Sequence, residues 1–272
     1  MRLGRRLVAG PAASARKSMP GKEGSEVAPR YLEPGSSTAT RSTVEYRLGK
    51  LSELGVLEGR WLDCGCADGG YTRALAEAGV RAVGVDVAGD RVALARERAR
   101  GLSGVAFAWV GERSLPFRTG SFDGVLLNEV LEHVVDENET LTEINRILRP
   151  GGHLALFSPN RWFPWEGHGI RLTGRLVLNF PIPLVPWLPK WFTHPFRRAR
   201  NYWPRELRRL VEEAGFSVVL VGTAFPQFEV YPWLPAALIR WYRTHLPCLE
   251  KLPLVRRLGL SVFLLAYKEA KR

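Results

Sequence analysis

Short apolar segments alternate with amphipathic segments between residues 60 and 159, and this alternation limits the fold more than any other feature of the chain. Apolar runs predict strands at residues 61–64, 81–86, 105–110, 122–127 and 153–158. Helical spacing of apolar residues predicts helices at residues 44–54, 71–78, 91–100 and 137–148. Alternating strands and helices form βαβ units, so we predict an α/β fold: a doubly wound parallel sheet with helices on both faces.

The first of these strands leads directly into a glycine-rich turn at residues 65–70. Gly65, Ala67 and Gly70 nearly match the G-x-G-x-x-G spacing, and Asp86 follows Gly65 at a distance from which an acid can hold a ribose diol. A dehydrogenase with a nicotinamide cofactor would show the same pattern. The turn by itself therefore predicts only a cofactor that contains a nucleoside.

Asp63 lies two residues before the first glycine and separates these interpretations. A dinucleotide site places a pyrophosphate at the helix N-terminus and gains from the absence of a nearby carboxylate. A carboxylate there suits a ligand that carries an ammonium and a sulfonium instead. S-adenosylmethionine has both groups and a ribose diol, and it has no phosphate.

Five segments stand in a characteristic order, at residues 62–69, 115–117, 121–125, 130–134 and 148–152. In order and spacing they resemble the class I S-adenosylmethionine-dependent methyltransferases, in particular the methyltransferase type 11 subgroup that includes quinone-biosynthesis enzymes. Residues 202–207 and 214–216 resemble the later helix and turn of that subgroup. The resemblance covers about residues 41–224 and a last strand near 259–267. It implies a Rossmann-like, mostly parallel seven-stranded sheet whose last strand is antiparallel.

The resemblance also implies which residues hold the cofactor, S-adenosylmethionine. They are Asp63, Gly65, Cys66, Ala67, Asp68, Gly69, Asp86, Val87, Gly111, Glu112 and Asn128. The backbone of 65–69 would lie against the methionine part, Asp63 would face the amino group, and Asp86 would take the ribose hydroxyls. Val87 would pack on the adenine, Gly111 and Glu112 would flank the adenine amine, and Asn128 would line the cleft. Ala67 and Gly111 depart from the usual glycine and the usual acidic residue, and both changes are expected to weaken binding.

Two histidines are candidates for a general base: His133, after the fourth strand, and His168, after the fifth. Much of the rate of methyl transfer comes from proximity and alignment, and a base is needed only where the acceptor must lose a proton. A histidine without a catalytic role and a loop held in place by aromatic residues are the alternatives for the two positions. The chain has no Cys/His cluster that predicts a metal site.

Two long segments, at about residues 160–203 and 225–256, combine tryptophan, proline and arginine. Seven of the nine tryptophans lie after residue 160, and residues 160–209 carry ten basic and two acidic side chains. We predict cap insertions over an apolar acceptor, or contact with the interface of an anionic membrane. A small helical cap that buries its own aromatic residues is the alternative. Nucleic acid is not expected as a partner, since no recognition fold accompanies the basic residues.

Composition sets the remaining expectations. Residues 1–40 lack sustained periodicity and predict a disordered tail, with an organellar transit peptide or translation from Met19 as alternatives. Residues 41–272 would form the methyltransferase domain. The longest stretch without a charged residue, 214–228, is too short for a membrane-spanning helix. Three cysteines favour a reducing compartment, so we expect a cytoplasmic protein with peripheral membrane contact. The sequence does not predict an oligomeric state.

The predicted function is S-adenosylmethionine-dependent methyl transfer to a small, hydrophobic acceptor such as a quinol, a lipid precursor or a secondary metabolite. An RNA or protein methyltransferase that uses the basic segments is the alternative enzyme. A methyltransferase-like domain without turnover, serving as a membrane or partner adaptor, is the alternative from a different class.

Overall fold

The computed structural model describes residues 40–111, 114–166, 170–172, 175–178, 182–193, 199–228 and 234–270. The predicted tail before residue 40 and two candidate site residues, Glu112 and His168, lie outside this part of the chain.

The first half of the chain folds as alternating helices and strands. The strands are β1 (Arg60–Cys64), β2 (Arg81–Asp86), β3 (Val105–Trp109), β4 (Phe122–Asn128) and β5 (Leu148–Pro159). The helices are α1 (Arg41–Glu53), α2 (Gly70–Glu77), α3 (Gly89–Arg98) and α4 (Glu137–Ile147). These bounds agree with the predicted elements to within a few residues, except at the start of β5.

The second half contains shorter elements and the last two strands of the sheet. The short strands are β6 (Trp165–Glu166), β7 (Ile170–Leu172), β8 (Arg175–Leu178) and β9 (Ile182–Pro183). The longer strands are β10 (Phe216–Ala224) and β11 (Ser261–Lys268). The helices are α5 (Lys190–Thr193), α6 (Pro204–Glu213) and α7 (Ala236–Leu249), with single 3-10 turns at Val185–Trp187 and Val255–Arg257.

The seven-stranded sheet has the order β10-β11-β5-β4-β1-β2-β3. β11 is antiparallel to both of its neighbours, and the pairs that join β1 to β5 are parallel. The predicted mostly parallel, seven-stranded fold with one antiparallel last strand is therefore confirmed. Because β5 and β10 are both antiparallel to β11, β10 runs in the direction of β5, and the carboxyl ends of six strands meet at one edge.

Successive residues of the central strands bury side chains on opposite faces of the sheet. Leu62 and Leu127 belong to the core that α4 and α6 cover, whereas Trp61 and Leu126 belong to the core beneath α1 and α2. Both faces of a doubly wound sheet are covered in this way, which is why its strands are almost continuously apolar.

β5 begins earlier than the sequence predicts. The strand was expected at residues 153–158, with a turn between it and the preceding helix, but β5 extends from Leu148, and its pairing with β4 is interrupted between Phe122 and Gly124. Gly151 has a φ of 74°, in the left-handed region that glycine tolerates. Residues 149–152 thus form an irregularity within the strand, because backbone pairing with β4 continues on both sides of them.

The insertion between β5 and α6 is joined to the sheet where it begins and where it ends. The backbone N–H of Tyr202 donates to the Pro159 carbonyl, and the N–H of Arg161 donates to the Tyr202 carbonyl, both at 2.9 Å. Between these points β6 pairs with β9 and β7 pairs with β8. The described part of the insertion is thus built from short antiparallel pairs and short helices, unlike the small helical cap that was the alternative.

The second insertion carries α7, which begins after Pro235 and contains Pro247 in its last turn. Within the described ranges, the structure contains no helix of the length and apolar character needed to cross a membrane.

Candidate cofactor and acceptor site

The predicted site residues gather at the carboxyl edge of the parallel strands. The glycine-rich turn follows β1, Asp86 ends β2, and Asn128 ends β4. Since β1 lies between β2 and β4, these three positions are neighbours across adjacent strands. Open parallel sheets bind ligands at this edge, where the strand order reverses.

The glycine-rich turn approaches the end of β4 too closely for a side chain at Gly65. Gly65 has a φ of 82°, and a Cβ atom there would lie 2.3 Å from Cγ2 of Val130. The N–H groups of Gly65 and Cys66 both donate to the Val85 carbonyl at 2.8 Å. The turn is therefore fixed between β2 and the segment after β4.

Ala67 adopts a left-handed conformation in the middle of this turn. Its φ is 47°, which costs a non-glycine residue about 1 kcal/mol. Its N–H donates to Oδ2 of Asp86 at 2.8 Å, and Oδ1 of Asp86 accepts from the Ala88 N–H at 2.9 Å. The Asp86 carboxylate thus stabilises the strained turn, and each oxygen retains a second lone pair for a ligand hydroxyl.

Asp63 is a buried acid without a basic partner among the described residues. Its side chain is 2% exposed, and its Oδ2 accepts from the Thr72 hydroxyl at 2.6 Å. Burial raises the pKa of Asp63 to about 7, with smaller contributions from the Asp86 and Asp68 charges and opposing hydrogen bonds from Thr72. A cation that enters the site strongly stabilises the ionised form of such a buried acid.

The other predicted cofactor residues differ in what their side chains can offer. The Asp68 carboxylate is bonded to Arg98 of α3, so Asp68 offers the cleft its backbone. The Cys66 thiol is buried, and burial raises its pKa above the ordinary value. Val87 is 47% exposed, and the Trp109 indole donates to its carbonyl at 2.9 Å. Gly111 is exposed and has open space around it in the described structure.

A buried guanidinium organises the segment after β4. Arg47 of α1 donates to Oδ1 of Asn128 at 2.6 Å, to Oε1 of Glu129 at 2.8 Å and to the Ser261 hydroxyl at 2.7 Å. Its guanidinium carbon also lies 4.9 Å from the centre of the Phe157 ring. Although burial lowers the pKa of Arg47, nearby Tyr71 and acidic groups raise it above its ordinary value, so this side chain stays charged.

A second carboxyl group, that of Glu132, is buried beside this cluster. Its Oε2 accepts from the Ser158 hydroxyl at 3.3 Å, and its Oε1 lies 4.0 Å from Nε2 of His133. Burial and the adjacent Glu129 carboxylate raise the pKa of Glu132 well above its ordinary value. The Glu129–Glu132 pair therefore tends to share one proton, since two charges cannot both be held beside a single Arg47 cation.

His133 lies at the rim of this cluster, in the turn that follows β4. Its side chain is 17% exposed. Its Nε2 is close to a buried carboxyl group, that of Glu132. His168, the other candidate base, lies outside the described residues.

Sequence reasoning missed Arg47 and Glu129. The helical spacing of Val44, Leu48 and Leu51 did predict the buried face of α1, and Arg47 occupies that face. An arginine on the apolar face of a helix is a signal for a buried ionic partner. Glu129 has a φ of 54°, which a sequence pattern does not indicate.

Comparison of the sequence with known proteins gives the family of the chain. A family model described as a methyltransferase domain matches residues 62–156. A demethylmenaquinone methyltransferase of Beutenbergia cavernae is 33% identical over 180 residues, covering 63% of this chain and 71% of that protein. A ubiquinone biosynthesis O-methyltransferase of Methylococcus capsulatus is 34% identical over 160 residues, covering 58% and 62%.

Comparison with solved structures shows a similar fold. The crystal structure of an S-adenosylmethionine-dependent methyltransferase from Mesorhizobium loti superposes with a TM-score of 0.55 at 18% identity, covering 83% of this chain and 98% of that one. The chain belongs to the class I S-adenosylmethionine-dependent methyltransferases. It spans only 44% of a Streptomyces fradiae relative and 62% of the Methylococcus protein, so its similarity to such relatives covers about half of their length.

The raised pKa of Asp63 predicts a pH-dependent stability. Between pH 4 and 7 the Asp63 carboxyl group keeps its proton in the folded chain and loses it in the unfolded chain. The free energy of unfolding should therefore fall as the pH rises from 4 to 7. Asp63→Asn should remove this fall, which amounts to at most about 4 kcal/mol. Urea denaturation at both ends of this range would measure it.

Asp123 provides a control of opposite sign. Hydrogen bonds from the Arg60 N–H and the Arg149 side chain lower the pKa of Asp123 despite partial desolvation. Asp123 therefore stabilises the fold at neutral pH and loses that contribution on acidification, so Asp123→Asn should weaken the fold most at neutral pH. Parallel stability curves for the native chain and Asp63→Asn would contradict the assignment.

Proposed function

We propose that this chain transfers a methyl group from S-adenosylmethionine to a small, apolar acceptor of the quinol or catechol type. The observation that supports the proposal most is the pair of carboxylates, Asp63 and Asp86, at the ends of adjacent strands around one glycine-rich turn. The Asp63 carboxyl group is buried and suits an ammonium group, and the Asp86 carboxylate is partly exposed and suits a diol.

The residues present fit this cofactor. Asp63 would receive the amino group, the backbone of residues 65–69 would lie along the methionine part, and Asp86 would accept from the ribose hydroxyls. Val87, 47% exposed, would contact the adenine. When bound, the cofactor supplies an electrophilic methyl group on a sulfonium. The chain contributes alignment, because the turn that would hold the cofactor is fixed by its contacts with β2 and with Val130 after β4.

The acceptor class is supported from two sides. Two relatives are named for reactions on demethylmenaquinone and in ubiquinone biosynthesis. The insertion after β5, where we expect the acceptor, also places aromatic rings together: the centres of the Phe163 and Trp165 rings lie 5.4 Å apart. Aromatic walls suit a planar, apolar ring.

We assign the removal of the acceptor proton to His133. Neutral Glu132, 4.0 Å from Nε2 of His133, would become a favourable partner once the imidazole gains a proton, because the proton shared within the Glu129–Glu132 pair can move to Glu129 and leave the Glu132 carboxylate charged. The buried cluster thus orients the imidazole and balances its charge. Alignment of an already ionised acceptor is the competing mechanism, and it needs no base.

The cofactor assignment predicts weaker binding when Asp86 is replaced by alanine. Loss of a charge-assisted hydrogen bond of about 1.5–3 kcal/mol should weaken S-adenosylhomocysteine binding roughly ten- to hundred-fold. Calorimetric titration measures this, with NADH as the competing ligand. The matched control is Asp90→Ala, which removes an exposed carboxylate four residues along the same segment.

Equal affinities for the native chain, Asp86→Ala and Asp90→Ala would refute the assignment. So would tighter binding of NADH than of S-adenosylhomocysteine. Gly65 is unsuitable as a test position, because any side chain there meets Val130 before it meets a ligand.

The base assignment predicts a loss of turnover in His133→Ala. The expected decrease in kcat is about 10²–10⁴-fold with an acceptor selected from a panel of hydroquinones, catechols and phenols. S-adenosylhomocysteine affinity should change little. His153→Ala is the control, because His153 pairs with Gly124 and Tyr267 at the start of β5's main segment, far from the carboxyl edge. Normal turnover in His133→Ala would establish alignment alone as the mechanism.

We further propose that the first insertion contacts anionic membranes peripherally. Within nine residues it exposes five large apolar side chains to between 37% and 80%: Leu184, Trp187, Leu188, Trp191 and Phe192. The surrounding region, residues 160–209, carries eight more basic than acidic groups. Exposed apolar clusters of this kind mark interaction surfaces, and basic residues add attraction to anionic lipid.

The membrane proposal predicts that Trp191→Ser weakens co-sedimentation with phosphatidylglycerol vesicles, even at low salt, because an inserted indole is lost. Trp109→Ser is the matched control, since Trp109 is 68% exposed at the opposite end of the sheet. Binding should also fall as salt increases. A chain that stays in the supernatant at low salt, or equal losses in the two variants, would refute the proposal.

A further inference from the structure

A second cavity lies at the carboxyl end of β10, away from the cofactor turn. Its volume is about 740 Å³, within the range of ligand sites in proteins. The end of β10, the start of α6, α1 and the 3-10 turn before β11 contribute its walls. β10 is the edge strand, and β11, β5 and β4 separate it from β1 and the glycine-rich turn. With strands about 5 Å apart, the cavity is well separated from Asp63 and Asp86.

The cavity is strongly basic. Lys50, Arg205, Arg256 and Arg257 line it together with a single carboxylate, Glu250. Lys50 already neutralises Glu250, because its ammonium lies 3.0 and 3.1 Å from the two carboxylate oxygens. Tyr46 donates a further hydrogen bond to Glu250.

The three arginines therefore supply three positive charges without an acidic partner. Within the described ranges, no carboxylate lies within ion-pair distance of Arg205, Arg256 or Arg257, whereas Arg208 and Arg209 of the same helix α6 pair with Glu212 and Glu213. Like charges brought together around one cavity repel each other, and an anion relieves that repulsion.

The backbone that carries these arginines is fixed to the sheet. The Thr223 hydroxyl of β10 donates to the Arg256 carbonyl, and the Asn160 amide donates to the Arg257 carbonyl at 2.8 Å. The Arg257 guanidinium lies 6.0 Å from the centre of the Trp162 ring, and Trp162 in turn contacts Trp203. The cavity thus offers cations on one side and indole rings on another.

We propose that this cavity binds a phosphate ester whose organic part contacts the tryptophans. Guanidinium groups match the oxygens of phosphate with paired hydrogen bonds, and several of them together bind a doubly charged anion better than a carboxylate. The ligand is either a soluble aryl or alkyl phosphate or the phosphate of a lipid headgroup. The inference does not depend on methyl transfer, since it uses none of the cofactor residues.

The test uses the full chain and two double variants of equal charge. Arg256→Gln/Arg257→Gln removes two cavity cations, and Arg208→Gln/Arg209→Gln removes two ion-paired cations on α6 as the control. Phenyl phosphate, titrated calorimetrically at low ionic strength, probes a soluble ester, with phenol as the uncharged comparison. Vesicles of phosphatidylglycerol, against phosphatidylcholine, probe the headgroup.

We expect phenyl phosphate, and not phenol, to bind the native chain and the control variant, and to bind the cavity variant at least about tenfold more weakly. Phosphatidylglycerol binding that is lost only in the cavity variant, without phenyl phosphate binding, would identify the lipid headgroup as the source and also support the site. Equal effects of the two double variants, or binding of neither probe, would overturn the proposal. S-adenosylhomocysteine affinity is measured in parallel, so that failure of the cofactor assignment can be distinguished from failure of the phosphate-ester proposal.

Discussion

The active edge of the sheet depends on the buried guanidinium of Arg47. One cation joins α1 to the end of β4 through Asn128 and Glu129, and to the start of β11 through Ser261. These bonds compensate part of the cost of the left-handed backbone of Glu129 and of its proximity to Glu132, and the Ser261 hydroxyl donates a further hydrogen bond to Glu129. Truncating a buried ionic partner leaves the opposite charge unpaired, which costs more than the pair contributes. The shape of the segment from Asn128 to His133 therefore depends on α1, which supplies the positive charge opposite Glu129.

The order of the elements could be predicted from the sequence, as could the meeting of the glycine-rich turn, Asp86 and Asn128 at one edge of the sheet, because both follow from local patterns. Apolar periodicity marks each strand and helix, and the turn chemistry of Gly65 and the spacing to Asp86 belong to short stretches of chain. Asp63 precedes the turn in the sequence, so its position beside the turn follows in the same way. Its burial is a consequence of packing against α2, and only the structure shows that its acidity depends on this packing.

Contacts between distant parts of the chain could not be predicted. Arg47 meets Ser261 across 214 residues, and the cations of the β10 cavity come from α1, α6 and the turn before β11. The cap was expected to be a lid, a membrane contact or a helical unit, and its paired short strands were not foreseen. Short strands in such a segment form because two stretches meet, and single-sequence periodicity contains little information about which stretches do so. The same limit explains β5, whose early start is set by its pairing with β4.

The closure of the first insertion at Asn160 and Tyr202 has an evolutionary consequence. Because backbone bonds join its two ends at the sheet, the span that the intervening chain must bridge is fixed and short, whatever the number of residues between them. The entropy of closing such a loop grows only with the logarithm of its length. Residues can therefore be added to or deleted from this segment at little cost to the sheet beneath. Since we propose that this insertion holds the acceptor, acceptor preference can diversify between relatives by exchange of this one module, while the edge of the sheet that carries the glycine-rich turn stays unchanged.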